Sequence, residues 1–127
     1  MSPSNDTKKR VLIVDDNVDV ADSLALWLKM AGHEISVAHS AARALECVPL
    51  FQPEIILLDI NLPDLNGFSL AKELRAIPNI PSFVLAVVTG YGFGTEMSDA
   101  QLKDLSIDHY FIKPIGAQKL HSIGITV

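Results

Sequence analysis

Three short aliphatic runs, each stopped by a polar residue, constrain what this chain can fold into. Val11-Leu12-Ile13-Val14 runs into Asp15-Asp16, Ile55-Ile56-Leu57-Leu58 into Asp59, and Phe83-Val84-Leu85-Ala86-Val87-Val88 into Thr89-Gly90. Continuous apolar runs of this length, bounded by turn formers, read as strands buried on both faces. The polar residues therefore fall where the strands leave the core. Helical spacing follows the first run, with Val18, Ala21, Leu24, Ala25 and Leu28 on one predicted face and Asp19, Asp22 and Lys29 off it. Gly32 suits the left-handed residue that closes a helix, and Ile35 and Val37 alternate with polar neighbours as in an edge strand.

Ser40 is the expected N-cap of a helix over residues 41–48, and Pro49 with Pro53 brackets the link to the second run. The turn-rich stretch Asn61-Leu62-Pro63-Asp64-Leu65-Asn66-Gly67 leads into a predicted helix over residues 68–76, ended by Pro78 and Pro81. A glycine-rich loop through Gly94 and a weaker helix over about residues 95–105 come next. His109-Tyr110-Phe111-Ile112 forms the last strand, Lys113-Pro114 its exit, and residues 115–123 a short final helix. Five alternations of strand and helix predict an α/β, doubly wound parallel sheet with helices on both faces, because each right-handed crossover restores the strand direction.

At 127 residues the chain fits one domain, with a flexible lead over 1–9, the folded unit over 10–123 and a tail over 124–127. Lys8-Lys9-Arg10 reads as a solvated strand flank. The net charge of −5, from 10 basic and 15 acidic side chains, offers no footprint for nucleic acid. Cys47 is the only cysteine, so no internal disulfide forms. No signal-peptide pattern opens the chain and no apolar run approaches a membrane span, from which a cytoplasmic location is expected.

In a parallel sheet all carboxyl ends share one edge, so Asp15, Asp16, Asp59, Thr89 and Lys113 are expected to converge. Three crowded carboxylates repel unless a cation intervenes, and an all-oxygen set of this size suits Mg2+ better than Ca2+. A metal, a lysine and a hydroxyl around one free carboxylate make a site for a phosphoryl group. Asp59 would attack phosphorus, while the metal, Lys113 and Thr89 would take up charge on the equatorial oxygens.

These residues resemble the receiver domain of two-component response regulators, and the chemotaxis regulator among them. The acidic pair, the aspartate ending the third strand, the threonine ending the fourth and the Lys-Pro after the fifth all occur in order, over about residues 10–120. The resemblance implies a flavodoxin-like five-stranded sheet of order 2-1-3-4-5 with five helices. It also implies Mg2+ held by Asp16 and Asp59 directly, by Asp15 through water and by the main-chain carbonyl of Asn61. Asp59 is then the phosphoacceptor, Lys113 its partner, the Lys113-Pro114 peptide cis, and Thr89 with Tyr110 the switch pair. A histidine kinase or histidine phosphotransfer protein would be the donor, and an effector protein or attached output domain the reader. Such a domain catalyses its own phosphorylation and dephosphorylation without being a turnover enzyme.

Some positions depart from the family's pattern. Ser106 stands where the family usually has glycine, the final helix is short, and Gly124-Ile125-Thr126-Val127 interrupts it. Gly90 and Tyr91 after Thr89 are similar to receivers attached to hybrid histidine kinases. Phosphatases that use an aspartyl phosphate need a second acid two residues on, where this chain has Asn61, and an amide cannot shuttle protons. A flavodoxin-like flavin or nucleotide binder needs a phosphate loop after its first strand, where Asp15-Asp16-Asn17 repels phosphate. His33, His39, His109 and His121 are dispersed and read as surface or edge residues. Trp27 reads as a packing residue, and with Ile60 beside Asp59 its fluorescence is expected to report metal poorly.

Overall fold

The aliphatic runs pair side by side in a five-stranded parallel sheet of order β2-β1-β3-β4-β5. The computed structural model describes residues 8–90 and 99–127. In chain order the elements are β1 (Arg10–Val14), α1 (Val18–Met30), β2 (Glu34–Ala38), α2 (Ala41–Phe51), β3 (Ile55–Asp59), α3 (Gly67–Arg75), β4 (Val84–Thr89), α4 (Asp99–Asp104), β5 (His109–Ile112) and α5 (Ala117–Ser122). The expected loop through Gly94, Tyr91 and the predicted start of the fourth helix lie outside the described residues, as do residues 1–7 of the lead.

Alternate side chains of the buried strands feed two cores, as the two-residue period of a strand requires. Leu12, Val14, Ile56, Leu58, Leu85 and Val87 meet Ala44 and Val48 of α2 and Leu70 and Leu74 of α3. Val11, Ile13, Ile55, Leu57 and Ala86 point the other way, onto Ala21, Ala25 and Leu28 of α1 and Leu120 of α5. Each fully buried leucine or isoleucine adds roughly 1.5–3 kcal/mol. A sheet buried on both faces explains why the runs are continuous instead of alternating.

Local chemistry fixes where helices start. Asn17 Oδ1 accepts the Val20 N–H at 3.1 Å, Ser40 Oγ the Arg43 N–H at 3.2 Å and Asn66 Oδ1 the Phe68 N–H at 2.7 Å. Gly67 tolerates no side chain, since a Cβ there would stand 2.4 Å from the Ile60 Cα. Gly32 takes φ +99°, as its helix-closing place predicts.

Four expectations need correction. α2 does not stop at residue 48 but continues through Pro49 to Phe51. Pro49 costs the helix one hydrogen bond in its last turn, while Gln52 closes that turn at φ 51° with its N–H on the Val48 carbonyl at 2.9 Å. Val18 is 49% exposed, because it lies in the first turn of α1, before the helix reaches over the sheet. His33 is not at the surface: it is buried, its Nδ1 accepting the Lys9 N–H at 3.0 Å and its Nε2 donating to the Thr126 carbonyl at 2.7 Å. The final helix covers only Ala117–Ser122, and after Gly124, at φ +97°, Ile125 turns back to be fully buried beside Leu28 and Leu120.

Ser106 adopts the left-handed conformation, φ 54°, that its place after α4 demands. The strain, about 1 kcal/mol, is offset by Arg75. Its guanidinium donates to the Ser106 carbonyl from Nε at 3.0 Å and from Nη2 at 2.8 Å, to Asp108 Oδ2 at 2.9 Å and to the Phe83 carbonyl at 2.9 Å.

Candidate functional site

β1 and β3 are neighbours in register, Val14 level with Leu58, so Asp15 and Asp59 leave the sheet side by side. Asp15, Asp16 and Asp59 each place a carboxylate oxygen within 4.8 Å of the others. Asp15 and Asp59 are buried and Asp16 is exposed. Each buried acid has one oxygen tied to the backbone two residues on: Asp15 Oδ1 accepts the Asn17 N–H at 2.9 Å and Asp59 Oδ1 the Asn61 N–H at 3.1 Å. These short turns aim the second oxygens at one point.

Lys113 fills that point from the end of β5. Its Nζ is 2.8 Å from Asp15 Oδ2 and 3.6 Å from Asp59 Oδ2. Its N–H donates to the Thr89 carbonyl at 2.8 Å, and the Lys113-Pro114 peptide is cis. Burial pushes the Asp59 carboxyl above its ordinary value of 3.8; the Asn61 N–H and Lys113 pull it down, and Asp15 and Asp16 push it further up. Burial works against the Lys113 charge, but its contacts with Asp15 and Asp59 outweigh this and raise its pKa. One ammonium therefore faces three carboxylates.

The donor set is all oxygen, carries excess negative charge and is small, which fits a hard divalent cation such as Mg2+. Among the described residues no histidine joins a candidate metal cluster, and His39 comes only within 4.0 Å of Asp22. Thr89 is buried at the end of β4, one residue beyond the Val88 that pairs with Asp59, with Oγ1 donating to the Gly90 carbonyl at 3.4 Å. Tyr110 sits lower, level with Val87, half-buried against the core on the α2 and α3 side. Asn61 is exposed beside Asp59.

A family model for the response regulator receiver domain matches residues 11–123. The chain belongs to the response regulator receiver family. The transcriptional regulatory protein PrrA of Mycobacterium tuberculosis is 37% identical to this receiver over 109 residues, 85% of this chain and 45% of that protein. The receiver thus spans about half the length of the relatives it matches. Among solved structures, a CheY-like receiver domain from Methylobacillus flagellatus superposes with a TM-score of 0.79 at 28% identity, covering 91% of this chain and 95% of that one. A response regulator protein from Burkholderia pseudomallei, with a phosphorylated aspartic acid, calcium ion and citrate, gives a TM-score of 0.79 at 26% identity over 92% of this chain and 66% of that one.

The sequence did not reveal the apolar half of the site. A cavity of about 600 Å³ opens between α1 and the segment after β5, lined by Asp15, Asp59 and Lys113 and by Val20, Leu24, Trp27, Pro114 and Ile115 among others. The available signal was a second apolar stripe on α1, Val20, Leu24 and Trp27 at helical spacing, next to the buried stripe. Trp27 is thus a wall of the cavity that holds Asp59, although the residue beside Asp59 in sequence is Ile60.

Proposed function

We propose that this receiver accepts a phosphoryl group from a phosphohistidine onto Asp59, with Mg2+ held by Asp15, Asp16, Asp59 and the main-chain carbonyl of Asn61. The observation that carries the reading is Asp59 itself, buried at a strand end with Oδ2 3.6 Å from the Lys113 ammonium and two more acids within 4.8 Å. Asp59 Oδ1 is committed to the Asn61 N–H, which leaves Oδ2 as the attacking atom. As the Asp59 oxygen bonds phosphorus, the bond from phosphorus to the histidine nitrogen breaks and the donor keeps that electron pair. Lys113 then trades carboxylate contacts for phosphoryl oxygens, where a cation held by Asp15, Asp16 and Asp59 would supply further charge neutralisation. The phosphorylated aspartic acid and calcium ion of the Burkholderia relative support this reading.

Thr89 would turn its hydroxyl to the phosphoryl group while Tyr110 moves inward, a contact present in only one state that shifts the population. The exposed apolar residues Val20 and Trp27 of α1 line the cavity beside Asp59 and offer the donor histidine's helix a docking face. A histidine kinase or phosphotransfer protein is the donor, and an effector or attached output domain reads the result. The net charge of −5 puts any nucleic-acid contact of such an assembly outside this domain. Among the described residues no helix is long and apolar enough to cross a membrane, and a cytoplasmic setting fits the donor chemistry. We assign the receiver unit to residues 10–123, with Ile125 of the tail folded back onto its core.

Intact-mass measurement after incubation with acetyl phosphate and Mg2+ tests this. The wild-type chain should gain one phosphoryl group and Asp59→Asn none; equal labelling of the two sinks the assignment.

A further inference from the structure

The turn between β2 and α2 holds no candidate metal ligand, yet it grips both loops that carry the acidic cluster. On one side, the Asp15 N–H donates to the Ala38 carbonyl at 3.0 Å, and His39 Nδ1 lies 3.0 Å from the Asp15 carbonyl oxygen. A carbonyl only accepts, so Nδ1 is the donor. On the other side, Asp64 reaches across from the loop after β3. Its Oδ1 accepts the Ala41 N–H at 2.9 Å and its Oδ2 the Ala42 N–H at 3.0 Å. These are the first N–H groups of α2, an 11-residue helix, where a carboxylate is favoured. They hold the Asp64 carboxyl below its ordinary 3.8. Asp64 stands three residues after Asn61, whose N–H fixes Asp59 Oδ1.

We propose that this turn braces the cation site, with His39 and Asp64 as positioning residues that set the spacing between its two halves. One half is Asp15 and Asp16 after β1; the other is Asp59 at the end of β3 with the Asn61 carbonyl just beyond it. The proposal rests on the Mg2+ site described above. Neither residue is among the candidate ligands. His39 tethers the first half to residue 39, Asp64 tethers the second to residues 41 and 42, and the capped helix start between them is stiff. Mg2+ demands near-ideal octahedral geometry, whereas Ca2+ accepts irregular shells. Loosening the brace should therefore weaken Mg2+ more than Ca2+.

The test titrates Mg2+ and Ca2+ separately into the full chain by calorimetry, with no phosphodonor present. His39→Leu and Asp64→Ala should each weaken Mg2+ binding about tenfold, the usual scale for groups that orient metal ligands, with a smaller loss for Ca2+. His39→Asn, whose amide can present an N–H where Nδ1 stands, should recover part of the loss. Ser40→Ala removes only the hydroxyl that accepts the Arg43 N–H at 3.2 Å, so it should lower Tm and leave the Mg2+ Kd in place. Variants that bind Mg2+ like wild type overturn the brace. So does a Kd that tracks Tm across all four variants, since His39 and Asp64 would then be ordinary structural contacts. A wild-type chain that takes up no Mg2+ overturns the site reading and the brace together.

Discussion

The two edges of the sheet handle charge in opposite ways. At the amino edge, charged and polar groups are matched: the Arg10 N–H donates to Glu54 Oε1 at 3.0 Å, Arg10 Nε to the Gln52 carbonyl at 2.9 Å, and His33 bridges Lys9 to Thr126. At the carboxyl edge, three carboxylates crowd within 4.8 Å around one lysine, and the Asp59 carboxyl sits above its ordinary value. A chain selected for stability alone would have no use for that imbalance. The edge that leaves electrostatic free energy unspent is the one poised to take up a cation and a phosphoryl group.

The contrast can be attacked from either edge, beginning with the largest effect. Ile125→Ala removes a fully buried side chain where the chain folds back beside Leu28 and Leu120. It should destabilise the domain by about 2–5 kcal/mol in a denaturant titration; a loss below about 1 kcal/mol would mean that this segment adds nothing to the core. His33→Leu keeps the bulk but leaves the Lys9 N–H and the Thr126 carbonyl without their partner. The expected cost is about 1–3 kcal/mol, with faster amide exchange at Ile125.

Asp59→Asn should act in the other direction. A carboxyl held above 3.8 binds more protons folded than unfolded between the two values, so stability falls as pH rises through that window and stays reduced above it. Without metal at pH 7 the variant should therefore be more stable than wild type. The gap should close below pH 4 and narrow when Mg2+ is added. Equal melting of the two proteins at pH 7 would show that the acidic cluster is already balanced. The smallest effect belongs to Lys8, which pairs with Glu34 at 3.5 Å with both side chains about half exposed. Lys8→Ala should shift stability by no more than about 0.5 kcal/mol.

How much of this was legible before the structure follows from the same physics. The strands were readable because burial on both faces writes continuous aliphatic runs, and a parallel sheet then sends Asp15, Asp59 and Lys113 to one edge whatever their separation in sequence. The helix caps Ser40 and Gly32 were readable because a cap is a local device. Contacts between distant segments were not. Nothing near His33 in sequence points to Thr126, and nothing near Asp64 points to the start of α2. Pro49 misled because a proline in the last turn of a helix removes only one bond, which the half-buried Phe51 beyond it can outweigh. The cavity was not legible because adjacency to Asp59 was judged along the chain, while the cavity joins Trp27 to it across the fold.

Arg75 and Ser106 carry one more consequence. The left-handed serine is tolerable while the guanidinium fork holds its carbonyl. The two positions are therefore coupled: serine at 106 is better tolerated on the background of arginine at 75. Glycine at 106 would remove the strain while Arg75 keeps its bonds to Asp108 and the Phe83 carbonyl, so losing the arginine should cost less on that background.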